Sequence, residues 1–284
     1  MASDNIDALL ERIDEIDLIE NKAWLGELNQ RKIAELEFHN RDRDPEFRAK
    51  AAESEDSFER FYGNKKYYDT IKRSKAYVDN WIAENARGKV FLDYACGNGH
   101  NALHAARSGA KLALGLDVSD VSVQNCRRFA AEQGLSNTRF FQADAENTKL
   151  PDNSVDAIMC SGMLHHLDLS YAFPELRRIL KPGGKILCLE SLEYNPAIKL
   201  YRMLTPDMRT DYEKAHILGF KDLRFARRFF DVRNVRYWHV VGYAGGKLTA
   251  VASLLDRLDR LFEKVPGVNW MAWIFTFELH KRAE

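Results

Sequence analysis

The chain reads as an α/β protein built on a seven-stranded, mostly parallel sheet with helices on both faces and an antiparallel final strand. Three observations predict it. Short apolar runs alternate with helical patterns from residue 89 to residue 190, the mark of parallel strands joined by helices. One run, Val90-Phe91-Leu92-Asp93-Tyr94, passes into Ala95-Cys96-Gly97-Asn98-Gly99, a strand entering a Gly-x-Gly turn at the head of a helix. A second run, Leu112 to Leu116, ends on Asp117, eighteen residues past Gly99. That is where a nucleotide-binding βαβ unit carries the acid that meets a ribose diol.

The elements follow in order. Ile6, Leu9, Leu10, Ile13, Ile16 and Ile19, then Leu25, Leu28, Ile33 and Leu36, keep helical spacing. Residues 1–60 are therefore expected to form a helical extension ahead of a domain at 61–284. The stretch from Arg41 to Ser57 is charged and broken by Pro45, and reads as a linker or mobile segment. A helix over Tyr68–Glu84 leads into the first strand. Strands are expected near 89–94, 111–116, 137–142, 155–161 and 184–190, with helices near 100–109, 119–134 and 170–180. Beyond Leu189 come a short helix at Pro196–Met203, a helix near Lys221–Phe230 and a strand near Val232–Val241. An amphipathic helix near Leu248–Lys264 and a last strand at Trp270–His280 follow, the strand expected at the antiparallel edge of the sheet. Two inserts, 194–217 and 245–266, flank the late strands. Loops of the length of the first insert usually serve a function, and this one is expected to cover the carboxyl ends of the strands together with the N-terminal helices.

Composition narrows the field. With 284 residues, 45% of them hydrophobic, the chain can bury an ample core. Its 42 Lys/Arg balance 42 Asp/Glu, so no global field points to nucleic acid. Residues 1–60 are nevertheless acidic, with 9 Lys/Arg against 17 Asp/Glu. Cys96, Cys126, Cys160 and Cys188 lack paired spacing and suit buried thiols in the cytoplasm. No apolar run approaches the ~18 residues of a transmembrane helix, and no leader precedes the first helix, so a cytoplasmic protein is expected.

Asp93 discriminates between cofactors. A dinucleotide lays its pyrophosphate over the Gly-rich turn, and a carboxylate at the end of the same strand would repel it. The same carboxylate suits a ligand with an ammonium or sulfonium there. S-adenosylmethionine (SAM) carries both, with an adenosine and no phosphate. Gly97-x-Gly99-x-x-Ala102 alone would pass as a nicotinamide fingerprint, which leaves a nicotinamide oxidoreductase as the competing reading. The absence of a well-placed Ser-Tyr-Lys set counts against it.

The blocks Asp93-Tyr94-Ala95-Cys96-Gly97-Asn98-Gly99, Gly115-Leu116-Asp117-Val118-Ser119 and Gln142-Ala143-Asp144-Ala145 stand in order, followed by Val155 to Ser161, Leu164-His165-His166-Leu167 and Leu176 to Gly184. Together they resemble the class I (Rossmann-like) SAM-dependent methyltransferases. The resemblance covers roughly Val90 to Leu189. It implies that Asp93, Gly97 and Gly99 receive the methionine part, Asp117 the ribose and Asp144 the adenine, with Ala95, Val118, Ala145 and Ser161 completing the cofactor set. It also implies that the N-terminal segment shapes the acceptor pocket, through Tyr62, Tyr67 or Tyr68.

His165 and His166 follow the fourth strand, at the end where open α/β sheets bind ligands. Either one could take a proton from a hydroxyl acceptor; the alternative is that one merely packs and holds its loop. His100 and His216 are rivals. No metal is expected, because Ser161-Gly162-Met163 at the strand mouth offers no cluster of carboxylates. The Asn/Asp-Pro-Pro-aromatic and Pro-Cys signatures of nucleic-acid methylation are absent. Residues 198–236 carry 10 Lys/Arg against 5 Asp/Glu, a solvated face or a patch for an anionic acceptor or membrane surface. The expectation is methyl transfer to a small organic acceptor, anionic or amphipathic, at a hydroxyl oxygen, with Arg209 and His216 facing it. Nitrogen and carbon acceptors remain open. A SAM-binding regulator without turnover, paired into a homodimer by its N-terminal helices, is the reading from another class.

Overall fold

In the computed structural model, residues 4–19 and 21–282 are described. The N-terminal part is helical throughout: α1 Asp4–Asp17, α2 Asn21–Glu27, α3 Gln30–Arg43, α4 Pro45–Ala51, α5 Glu55–Tyr62, α6 Lys65–Tyr68 and α7 Lys72–Ala86. The stretch expected as a linker is thus two short helices, and the reason is local. The Asp44 carboxylate accepts from Phe47 N ahead of Pro45 at the first helical position, and the Ser54 hydroxyl accepts from Ser57 N. A proline preceded by Asp starts a helix as readily as it breaks one.

The core then alternates: β1 Val90–Tyr94, α8 His100–Arg107, β2 Leu112–Asp117, α9 Asp120–Glu132, β3 Thr138–Gln142, β4 Val155–Ser161, α10 Leu169–Ile179 and β5 Leu180–Ser191. After it come α11 Pro196–Leu204, α12 Asp211–Ala215, α13 Phe220–Ala226, β6 Asp231–Trp238, α14 Ala252–Phe262 and β7 Ile274–His280. The seven strands form one sheet in the order β3-β2-β1-β4-β5-β7-β6. Strands β1 to β5 pair in parallel, and β7 runs antiparallel to both β5 and β6.

The last strand is therefore antiparallel, as expected, but it does not lie at the edge. It sits between β5 and β6, and Ile274 to Leu279 are buried. The edge belongs to β6, whose residues are half-buried or exposed.

Leu9, Ile13 and Ile16 of α1 are buried in the main core with Phe141 of β3 and Leu114 and Leu116 of β2. The extension is part of the domain's hydrophobic interior, and the apolar face of α1 is covered by the chain's own sheet. Chain order reverses between β1 and β4, which places a crevice at their carboxyl ends. Residues of α3, α5 and α6 and of the 194–217 insert line one cavity beside it. No helix among the described residues is long and apolar enough to cross a membrane.

Candidate active site

The turn after β1 is shaped by backbone that few residues tolerate. Ala95, Gly97 and Gly99 have φ of 55°, 54° and 72°. At Gly99 a Cβ would stand 2.8 Å from Cys126 Sγ and 3.0 Å from Phe140, so only glycine fits. Two carboxylates brace this turn. Asp117 Oδ2 accepts from Gly97 N at 2.8 Å, and Oδ1 from Ser119 N at 2.9 Å. Asp93 accepts from Asn101 Nδ2 at 3.1 Å and from Ala102 N at 3.2 Å, tying β1 to the start of α8. Burial pushes the Asp93 carboxyl up to about 7, against the pull of those two donors.

A narrow cleft opens beside the turn. Ala95, Asp117, Val118, Asp144, Ala145 and Ser161 line it, while Asp93, Gly97 and Gly99 build the turn and do not line the cleft. Its other wall is α3. Lys32 Nζ lies 2.5 Å from Asp144 Oδ2 and 2.9 Å from Glu146 Oε2. Arg31 donates to His166 O at 2.7 Å and pairs with Glu146.

An acid at the end of β2, a glycine turn held by it, and a crevice at the β1/β4 switch complete the cofactor side of the site. Residues 92–188 match the family model described as a methyltransferase domain. Over this segment the chain is similar to the class I SAM-dependent methyltransferases. Sterol 24-C-methyltransferase erg6 of Aspergillus fumigatus is 33% identical over 129 residues, 45% of this chain and 34% of that protein. The ubiquinone/menaquinone biosynthesis C-methyltransferase UbiE of Idiomarina loihiensis is 36% identical over 108 residues, 37% of this chain and 43% of that one. The chain thus spans less than half the length of these curated relatives. A solved geranyl diphosphate methyltransferase, in complex with GPP and sinefungin, shares the fold at a TM-score of 0.55 and 16% identity, over 74% of this chain and 78% of that one.

SAM is the cofactor that this similarity implies, and the residues present fit it. The cleft holds acids and backbone where an adenosine needs hydrogen-bond acceptors. At its inner end a buried guanidinium nitrogen, Arg43 Nη1, has no hydrogen-bond partner.

Next to the cleft lies a cavity of about 480 Å³, joined to it at Gly162, His166, His39 and Arg43. Tyr62, Tyr67, Tyr68, Arg209, His165 and His166 all line it. His216 does not; its ring stacks on Tyr212 at 3.8 Å and its Nδ1 bonds Tyr212 O, an i–4 contact that turns it away. His100 opens α8 and is exposed.

His165 is the better anchored of the pair. Its Nδ1 donates to Glu190 Oε2 at 2.7 Å, and Glu190 Oε1 accepts from Met163 N and Leu164 N at 2.9 and 2.8 Å. Burial disfavours the imidazolium, but the charge and hydrogen bond of Glu190 outweigh it and hold His165 above the usual histidine range. Its Nε2 lies 3.9 Å from Glu213 Oε1. His166 Nδ1 donates to Glu35 Oε2 at 2.9 Å, and the two imidazoles lie 4.3 Å apart. Glu35 Oε1 accepts from Thr210 Oγ1 at 2.6 Å, so one carboxylate joins α3, the histidine loop and the start of α12. Burial, then Arg43 and the two neighbouring imidazoles, keep His39 well below the ordinary value.

Of three groupings among the described residues whose imidazole and carboxylate atoms lie within 4.8 Å of one another, two lie here, Glu35–His39–His166 and His165–His166–Glu213; the third, His239–Asp259–Glu263, lines neither the cleft nor the cavity. Hydrogen bonds close the first, and Glu190 and Arg209, whose Nε is 3.4 Å from Glu213, close the second.

Sequence reasoning missed Glu35, His39, Arg43, Glu190, Arg202 and Glu213. Glu190 had a signal, a lone acid at the carboxyl end of an apolar strand. The others come from helices whose docking no local pattern announces.

Proposed function

We propose that this methyltransferase moves a methyl group from SAM to a hydroxyl oxygen of a small organic acceptor seated in the 480 Å³ cavity. The observation that carries the reading is the Glu190–His165 pair, an imidazole fixed at Nδ1 whose Nε2 lies 3.9 Å from the cavity-lining Glu213. SAM supplies an electrophilic methyl on a sulfonium. What the protein must add is orientation, exclusion of water and, for a hydroxyl, a base. Glu190 fixes the His165 tautomer and stabilises the imidazolium that forms when the acceptor's proton arrives at Nε2. His166, held by Glu35, walls the passage between cleft and cavity.

Aromatic side chains, Phe61, Tyr62, Tyr201, Tyr243 and Trp273 among them, form part of the cavity wall beside several charged side chains. Within it stands Arg202. Burial, then the neighbouring Arg209, lower its pKa to about 10, and no carboxylate forms an ion pair with it among the described residues. A desolvated guanidinium favours an acceptor that brings an anionic group.

A carbon acceptor is the second reading, because the sterol and UbiE relatives are named as C-methyltransferases. The same base would serve an acidic C–H. Incubating the full chain with ¹³C-methyl-labelled SAM and a panel of hydroxylated and enolisable aromatic carboxylates separates the two. A labelled methyl in the O–CH₃ region of the carbon spectrum supports the proposal. A C–CH₃ resonance selects the second reading.

A further inference from the structure

We propose that Arg43, at the end of α3, binds the carboxylate of the cofactor's methionine part. The inference rests on SAM being the cofactor and adds to the site a residue from outside the family-matched segment. The Arg43 guanidinium lies across the Gly97 turn, where a Cβ on Gly97 would meet Nη2 at 3.0 Å and Nε at 3.3 Å. Its Nη1 is buried without a hydrogen-bond partner, and no carboxylate forms an ion pair with it among the described residues. Leaving a buried charged donor without an acceptor is costly, and arginine cannot escape the cost by losing its proton.

The placement is fixed from behind. Arg43 O accepts from Asn125 Nδ2 at 3.3 Å, and Asn40, one turn earlier, donates to Asp120 Oδ1 at 2.8 Å, so both anchors lie on α9. Arg43 lines both the cofactor cleft and the acceptor cavity. It therefore stands where they meet.

SAM brings a sulfonium, an ammonium and one carboxylate. A guanidinium repels the first two and pairs with the third, in the planar two-point geometry that arginine favours. The protein's own carboxylates at this turn, Asp93 and Asp117, are already occupied by backbone and amide donors. They leave Arg43 unneutralised. The N-terminal extension thus reads the amino-acid end of the cofactor, while the core reads its adenosine.

The test is calorimetric titration of the full chain with SAM and with decarboxylated SAM, which keeps the adenosine, sulfonium and ammonium. In Arg43→Gln, affinity for SAM is expected to fall at least about tenfold, the scale of a lost charge-assisted pair. Affinity for decarboxylated SAM should stay the same or rise as repulsion is removed. Arg43→Lys, which keeps the charge and loses the fork, should fall between. Equal losses for both ligands would mark Arg43 as a structural residue and overturn the proposal. Tighter SAM binding by Arg43→Gln would do the same, by showing that the guanidinium obstructs the cleft. Should Arg43→Gln unfold, Arg43→Lys carries the same comparison. A wild-type chain that binds neither ligand would remove the cofactor reading itself, a result distinct from any selective loss.

Discussion

Lys32 Nζ sits between Asp144 Oδ2 at 2.5 Å and Glu146 Oε2 at 2.9 Å, fastening α3 to the loop that leaves β3. Burial works against the ammonium, yet the two carboxylates prevail and raise its pKa. Ion pairs of this partly exposed kind contribute on the order of 1 kcal/mol, so they govern local opening more than global stability. Lys32→Met is expected to speed hydrogen exchange of the α3 amides by about fivefold, leaving β1 and β4 unchanged. Equal exchange in the two proteins would show that α3 is held by packing alone.

Asp117 holds Gly97 N and Ser119 N with its two oxygens, and the proposal gives it the cofactor's ribose as a second task. Asp117→Ala should weaken SAM binding at least tenfold, on the scale of about 1.5–3 kcal/mol per charge-assisted bond. It should also lower thermal stability, because two buried N–H groups lose their acceptor at about 1–3 kcal/mol each. Calorimetry and thermal denaturation of the variant check both; unchanged affinity in a folded variant removes Asp117 from the cofactor site.

Asp93 gives the fold a pH dependence. Burial raises its carboxyl from 3.8 to about 7, so the folded state holds the proton across that window. The stabilisation is full below the unfolded value and is lost as pH rises through about 7. Asp93→Asn is expected to show a flatter melting temperature between pH 4 and pH 7 than the wild type. Parallel curves would mean that Asp93 ionises freely in the folded protein.

His165 titrates above its ordinary 6.5 because Glu190 favours the imidazolium. Its pairing stabilises the fold fully below about 6.5, and that contribution fades as pH climbs through the raised folded value. His165→Asn should therefore cost more stability at pH 5.5 than at pH 9. If the neutral imidazole is the base, turnover rises with pH through a midpoint above 6.5, and His165→Gln lowers it by about 10²–10⁴ with SAM affinity preserved. A pH-independent rate together with an active His165→Gln would leave orientation as the sole catalytic device.

The parts of this protein that follow from short-range chemistry were legible in the chain. The β1 turn needs glycine for steric reasons, and Asp117 ends its strand at a spacing set by one helix. Strand alternation forces the parallel sheet. The helices at 45–62 escape the sequence pattern because Pro45 reads as a break, while Asp44 and Ser54 in fact cap helices there. The acceptor side was harder. Glu35 and His166 are 131 residues apart in the chain and meet only because α3 docks across the cleft. His216 was expected beside Arg209 since both lie on the insert, but α12 turns it onto Tyr212. Sequence proximity does not fix which way a short helix faces. Removing residues 1–57 would not isolate a covering role of the N-terminal helices, because Leu9, Ile13 and Ile16 are buried in the main core. Their loss would expose that core before it informed on turnover.

The interior position of β7 has a consequence for how the protein is made. In the sheet, β6 has β7 as its one strand neighbour and β5 pairs with β7 on that side. Translation delivers β6 first, about forty residues ahead of its partner. Until β7 emerges, β5 presents an open edge and the earlier strand has nowhere to dock. Both stay available to neighbouring chains for that interval. The insertion of β7 closes both gaps in one event, so the late part of the sheet is expected to assemble as a single step, with β6 arriving in the sheet after the strand that follows it.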